Sequence, residues 1–168
     1  MRLIYLPTFW TVFLDFAAWL VIHVGVVLAM VRVPIARFDP GAWIFRPRHW
    51  EKGGLFYVRR LRIKKWKKHL PDGARWLGSR GFPKTRLAEK GEEYLALFVR
   101  ETCRAELTHW IIILFAPFFF LWNKPGVGLL MILYALAENL PLILAQRYNR
   151  SRLLGILDQK ERGRGSRT

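Results

Sequence analysis

Three long apolar runs limit what this chain can become. Residues 9–31 hold only two ionisable groups, Asp15 and His23. At about 1.5 Å per residue, a helix of that length crosses the roughly 30 Å hydrocarbon core of a bilayer. The second run, 105–122, is predominantly apolar over 107–122, which is short for a span; it suffices if its helix begins near Glu92 and takes in Cys103–Glu106. The third, 126–146, carries Glu138 and Asn139. Asn123-Lys124-Pro125-Gly126 reads as a tight turn that makes the second and third runs an antiparallel hairpin. The expected fold is an all-α integral membrane protein with about three transmembrane helices, forming one membrane domain over 1–158. The pattern leaves open a short fourth element near Ala42–Phe45, re-entrant or interfacial.

Charge gives the orientation. Lys and Arg number 28 against 12 Asp and Glu, a net +16, while 52% of the residues are hydrophobic. The two signals are segregated, as in a membrane protein with basic cytoplasmic parts and unlike a soluble nucleic-acid binder. The loop 32–100 carries 18 Lys/Arg and the segment 147–168 carries 7, whereas only Arg2 precedes the first run and only Lys124 lies in the hairpin turn. Loop and C-terminus are therefore expected in the cytoplasm of a bacterial inner membrane, with the N-terminus outside. No cleavable signal peptide is expected, because the first run is too long and no small-residue cleavage site follows it. The single cysteine, Cys103, excludes an internal disulfide and a Cys-rich zinc site.

Within the loop, LFYVRRLRIKKWKKHL (55–70) interleaves apolar side chains with seven Arg/Lys. On a helix, Phe56, Ile63, Trp66 and Leu70 share a face that excludes Tyr57 and Leu61; part of the stretch also fits strand alternation. Either form suits anionic lipid head groups, at about 1 kcal/mol per basic residue. Residues 70–73 read as a turn. Glu92 and Glu93 read as the start of a helix, at its positive end. Residues 159–168 read as a basic, disordered tail.

Polar residues inside the runs mark the candidate site, since ionisable groups in a span are costly unless paired or facing a cavity. His23, His109 and Asn139 fall at similar depth in the inner half of the membrane, judged by helix rise; Asp15 lies near the outer side. At about 100° per residue, Glu101, Arg104 and Thr108 form one stripe of the second run, and Glu106 and His109 adjoin it. Glu138, Asn139 and Gln146 form a stripe on the third. If these faced each other they would line a polar pocket open to the cytoplasm. The blander reading pairs Glu101 with Arg104 and Glu106 with His109 as interfacial ion pairs. Glu106-x-x-His109 has metal-site spacing, but no second such motif exists, and no metal is expected. Walker, dinucleotide-binding and Gly-x-Ser-x-Gly patterns are absent from the sequence.

Several segments together carry a resemblance: HWEKGG (49–54), IKKWKKHLPDG (63–73), GFPKTRL (81–87), YLALFVRETCRAELTHW (94–110), FFLWN (119–123) and ENLPLILAQRYNRSRL (138–153). Over roughly residues 46–153 the chain resembles the glycosyl-4,4'-diaponeurosporenoate acyltransferase family of staphyloxanthin-type carotenoid synthesis. Leu142, Ser151 and Glu138 depart from that pattern and bear on the acceptor. The resemblance implies transfer of a fatty acyl group to a sugar hydroxyl of a glycosylated isoprenoid or carotenoid-like lipid. His109 is then the expected base, kept basic by Glu106, because an imidazole titrates near working pH. Glu101, Arg104 and Asn139 complete the expected catalytic set. Arg104, Asn139 and Gln146 are candidate oxyanion donors. An acyl-CoA or acyl-carrier-protein donor would be anionic, so Arg147, Arg150, Arg152 and the cluster from Lys64 to Lys68 are expected to receive its phosphates. Tyr148, Asn149 and Trp66 are further substrate-binding candidates, and His49 with Glu51 is a rival base. No cofactor is expected. Expected partners are the lipid acceptor, the thioester donor, anionic lipid head groups and a second copy in a homodimer, with no nucleic acid. The competing readings are an isoprenoid-directed methyltransferase, suggested by Arg147-Tyr148, and a non-catalytic module binding lipid or a partner enzyme.

Overall fold

Pro7 has no N–H to lose and sits at the start of α1 (Thr8–Arg32), which ends where Val33 turns extended ahead of Pro34. The structure, a computed structural model, describes residues 2–70 and 91–165. All regular elements among these residues are helical. Four more α-helices follow α1: α2 (Leu55–Arg59), α3 (Ile63–Trp66), α4 (Glu92–Phe115) and α5 (Pro125–Gly165). Three helical stretches, Thr8–Arg32, Glu92–Leu121 and Pro125–Gly163, are long and apolar enough to cross a membrane. Phe9, Phe13, Phe16, Leu20 and Val21 of α1 are more than half exposed. Such a bare apolar surface on a long helix suits contact with lipid. The chain divides into two compact units, 1–34 with 107–143 and 35–106 with 144–168.

In the first unit α1 is held by aromatic packing and one buried carboxylate. Trp19 stacks on Phe119 at 4.5 Å between ring centroids, meets Tyr134 edge-on at 5.3 Å, and donates from Nε1 to Met131 Sδ at 3.4 Å. Asp15 is buried and accepts hydrogen bonds from Trp122 Nε1 at 2.8 Å and Asn123 Nδ2 at 2.6 Å. That satisfies a charge which apolar surroundings would otherwise exclude. After Phe115 the α4 helix tightens into a 3₁₀ turn, Ala116–Leu121, and Pro125 opens α5 at a position where its missing N–H costs nothing. Pro141 lies inside α5.

In the second unit residues 35–70 are folded. Tyr57, Ile63, Ala145 and Tyr148 form a buried cluster, packed by Phe56, Val58, Leu61, Trp66, Leu70 and Leu144. Leu95, Phe98, Val99 and Leu153 form another, with Leu154 and Leu157 against it. Residues 55–59 and 63–69 are helical, so the strand alternative fails. They do not make one helix either, because Arg62 takes a left-handed φ of 48° and separates α2 from α3. The break turns Tyr57 into the core, contrary to the single-face expectation. Residues 42–45 form a hydrogen-bonded turn, Phe45 N–H to Ala42 O at 2.9 Å, with Phe45 buried near Phe38. They form no helix of their own. Glu92 and Glu93 occupy the first turn of α4. Helix α5 continues to Gly165, where composition favours disorder over 159–168. A helix already nucleated and packed at Leu153 and Leu157 propagates through Gln159–Arg162, residues of good helix propensity. The expected turn at 71–73, the segment GFPKTRL and residues 166–168 lie outside the described residues.

One glycine is indispensable here. Gly54 has φ 93° and lies against Tyr148 Cδ2, which a Cβ would meet at 3.5 Å. The space is ordinary, so the penalty is in the backbone: Gly54→Ala should destabilise by about 1–2 kcal/mol, read as a lower unfolding midpoint in detergent.

Candidate active site

Two polar clusters stand out, one in each unit. In the second unit, Glu51 from the 3₁₀ turn His49–Gly54 and Glu106 from α4 meet Arg147, Arg150 and Ser151 from α5. Glu51 Oε1 accepts from Arg147 Nε at 3.1 Å, from Arg147 Nη2, and from the Arg48 backbone N–H at 3.2 Å. Its Oε2 accepts from Ser151 Oγ at 3.1 Å. Glu106 Oε1 accepts from Arg147 Nη1 at 2.8 Å, and its Oε2 accepts from Arg150 Nη2. Arg147 also donates to the carbonyls of Ile44 and Arg46, each at 3.3 Å. Its five N–H groups are thus all engaged. Glu51, Glu106 and Arg150 are each 1% exposed. Two carboxylates against two guanidiniums make the cluster neutral. Beside it the buried Tyr57 hydroxyl has no hydrogen-bond partner of good geometry. Burial pushes its pKa well above the ordinary tyrosine value, the Glu51 charge adds to that, and Arg147 opposes it.

The first unit holds the histidines. His109 Nδ1 lies 2.9 Å from Asn139 Oδ1, and Asn139 Nδ2 donates to Ala135 O at 2.9 Å. The second bond fixes the orientation of the amide: its oxygen faces the ring, so Nδ1 must carry the hydrogen. In the neutral imidazole the lone pair is then on Nε2, the arrangement a general base needs. His23 is held in the same way, with Nδ1 2.8 Å from Trp19 O, and its Nε2 faces Glu138 Oε2 at 3.6 Å.

The expectation that Glu106 orients His109 is corrected: both Glu106 oxygens bond arginines, and Asn139 holds the ring. Residues three apart on a helix diverge by about 60°, enough to send each side chain to a different partner. The polar stripes meet within the first unit through His109–Asn139, whereas Glu106 in the second unit bonds Arg147, which lies outside the expected stripe. Glu101 pairs with Arg104 on its own helix at 2.6 Å. Cys103 is buried, with Arg150 Nη1 3.6 Å from its sulfur. His49 is exposed and Gln146 half-buried. Trp66 donates from Nε1 to Leu61 O at 2.8 Å.

A third feature lies in the second unit. Lys64, Lys67, Lys68, Tyr148 and Arg152 line an open groove of about 290 Å³. Lys67 bonds Asn149 Oδ1 and lies over the Tyr148 ring at 5.0 Å, with Arg152 at 5.8 Å from the same ring. Cations around an aromatic face suit a phosphate-bearing ligand. Among the described residues no group of three or more His, Cys, Asp or Glu side chains comes together as a metal site.

A family model described as glycosyl-4,4'-diaponeurosporenoate acyltransferase matches residues 41–159. The chain belongs to that family. A protein of the same name from Staphylococcus haemolyticus (strain JCSC1435) is 35% identical over 138 residues, covering 82% of this chain and 79% of the relative. Another from Staphylococcus aureus (strain N315) is 33% identical over 141 residues, covering 83% of each. No solved structure matches the chain. Family membership makes this chain an acyltransferase. The matched span holds both ends of each bond in the charged cluster and of the His109–Asn139 pair. α1, with Asp15 and His23, precedes it.

Sequence reasoning missed the roles of Tyr57, Asp15 and Ser151. It took Arg147 and Arg150 as ligands for substrate, whereas both are engaged with glutamates. An apolar run interrupted by one carboxylate, as at Asp15, is the signal that could have prompted a search for donors such as Trp122 and Asn123.

Proposed function

We propose that the chain moves a fatty acyl group from a cytoplasmic thioester to a sugar hydroxyl of a glycosylated isoprenoid or carotenoid-like lipid, at the bacterial inner membrane with its basic loop and C-terminus inside. The acceptor class follows the name carried by its relatives; the orientation follows the basic loop. The observation that carries the mechanism is the His109–Asn139 pair, which leaves a lone pair on Nε2. His109 Nε2 takes the proton of the acceptor hydroxyl as its oxygen attacks the thioester carbonyl. The tetrahedral intermediate collapses with loss of the C–S bond, and the thiolate leaves with the proton returned from His109. Asn139 acts by holding the ring, since both ends of its amide are engaged. The neutral Glu51–Arg147–Glu106–Arg150 cluster is a scaffold that ties the 3₁₀ turn to α4 and α5.

The donor's phosphates fit the groove of Lys64, Lys68 and Arg152 beside Tyr148. The test is mass spectrometry of lipids from liposomes containing the protein, a glycosylated isoprenoid and either an acyl-CoA or an acyl-carrier protein. An acyl mass added to the glycolipid supports the reading, and the donor that works names itself. The triple variant K64E/K68E/R152E should raise KM for acyl-CoA at least roughly tenfold while acyl-pantetheine, which lacks the phosphates, reacts as before. If both donors suffer equally, the groove is not the phosphate site.

A further inference from the structure

We propose that Glu138, beside His23, accepts hydrogen bonds from the acceptor's sugar hydroxyls and so sets which hydroxyl reaches His109. This rests on the glycolipid-acceptor reading above. Glu138 follows α5's exposed Leu129, Leu130 and Leu133, yet its own side chain is 40% exposed. A half-exposed carboxylate among apolar neighbours in a spanning helix is costly unless a polar group comes to it. The Tyr134 hydroxyl reaches the carboxylate, and His23 supplies only part of the rest. Its Nδ1 is committed to Trp19 O, and its buried Nε2 stands 3.6 Å from Glu138 Oε2, beyond hydrogen-bond reach. The carboxylate therefore keeps accepting capacity on its open side.

The surroundings fit a sugar. Tyr134 lies one turn before Glu138 on the same face and is 44% exposed, with Trp19 edge-on behind it. A ring face with a carboxylate beside it matches the two kinds of surface a pyranose offers, C–H groups on its faces and hydroxyls at its rim. Asn139, the next residue along, holds His109. A sugar bound by Glu138 is thus delivered beside the base by adjacent positions of one helix, all within the first unit. The apolar tail of such an acceptor would lie along the exposed aliphatic side chains of α1 and α5.

The test uses the full chain in liposomes with palmitoyl-CoA and farnesyl β-D-glucoside, together with the farnesyl monodeoxyglucosides. Glu138→Gln should raise KM for the glucoside roughly tenfold, the effect of losing a charged hydrogen bond, with KM for palmitoyl-CoA at its wild-type value. His23→Gln should shift the same parameter less. In wild type, one monodeoxy acceptor should show a similar rise in KM, and Glu138→Gln should add nothing further with that acceptor. The monodeoxy series on wild type keeps the test informative should a variant fold poorly. Equal glucoside KM in Glu138→Gln and wild type, or an equal penalty on every monodeoxy acceptor, overturns the proposal. If wild type itself forms no acyl glucoside, the glycolipid-acceptor reading fails, and this assignment with it.

Discussion

With His109 replaced by alanine, the protein should insert and accumulate like wild type yet lose acyl transfer by about 10²–10⁴-fold, the usual worth of a positioned general base. Purified variant and wild type, reconstituted at equal density with donor and glycosylated acceptor, give the comparison directly by mass spectrometry. Asn139→Leu should fall between them, because the ring remains while its tautomer and orientation are no longer fixed. Wild-type turnover by His109→Ala would remove this histidine from the mechanism. Attention would then shift to His49, which is exposed in the second unit.

The second large effect is on stability. Glu106→Gln should destabilise the protein by about 3–5 kcal/mol, because it strips the carboxylate from Arg150, which is 1% exposed, and from Arg147. An apparent unfolding midpoint lower by about 10 °C, followed by tryptophan fluorescence in detergent, is the expected reading. Glu101→Gln is the matched comparison: its partner Arg104 is only three residues away and partly exposed, so a loss of about 1 kcal/mol or less is expected. Equal losses in the two variants would mean that the buried cluster contributes no more than a helix-surface pair.

The spans were legible because lipid imposes a one-dimensional demand, about twenty apolar residues in a row, that any sequence must display. The Glu101–Arg104 pair was legible for a similar reason: three residues on a helix is a local distance. The loop between α1 and α4 was not. The shape of its residues 35–70 depends on left-handed backbone at Lys52 and Arg62, and neither residue type announces that conformation. Once the chain breaks at Arg62, helical periodicity no longer says which side chain is inside, so Tyr57 went to the core and the single-face reading failed. The charged cluster was hidden by separation: Glu51 and Arg147 are 96 residues apart, and Glu106 and Arg147 are 41 apart. Periodicity within one helix carries no information about such partners. It suggested the nearest histidine for Glu106 instead.

The saturated guanidinium of Arg147 bears on how sequences like this one can drift. Lysine keeps the charge but offers three donors from a single nitrogen, too few and too narrowly placed to reach two glutamates and two backbone carbonyls. Neutral replacements strand a carboxylate. A change at 147 therefore calls for compensation at 51 or 106, in segments far apart along the chain. Position 147 and its two glutamates are thus expected to be coupled: a double change at 147 and 51 or 106 should cost less stability than the two single changes added together.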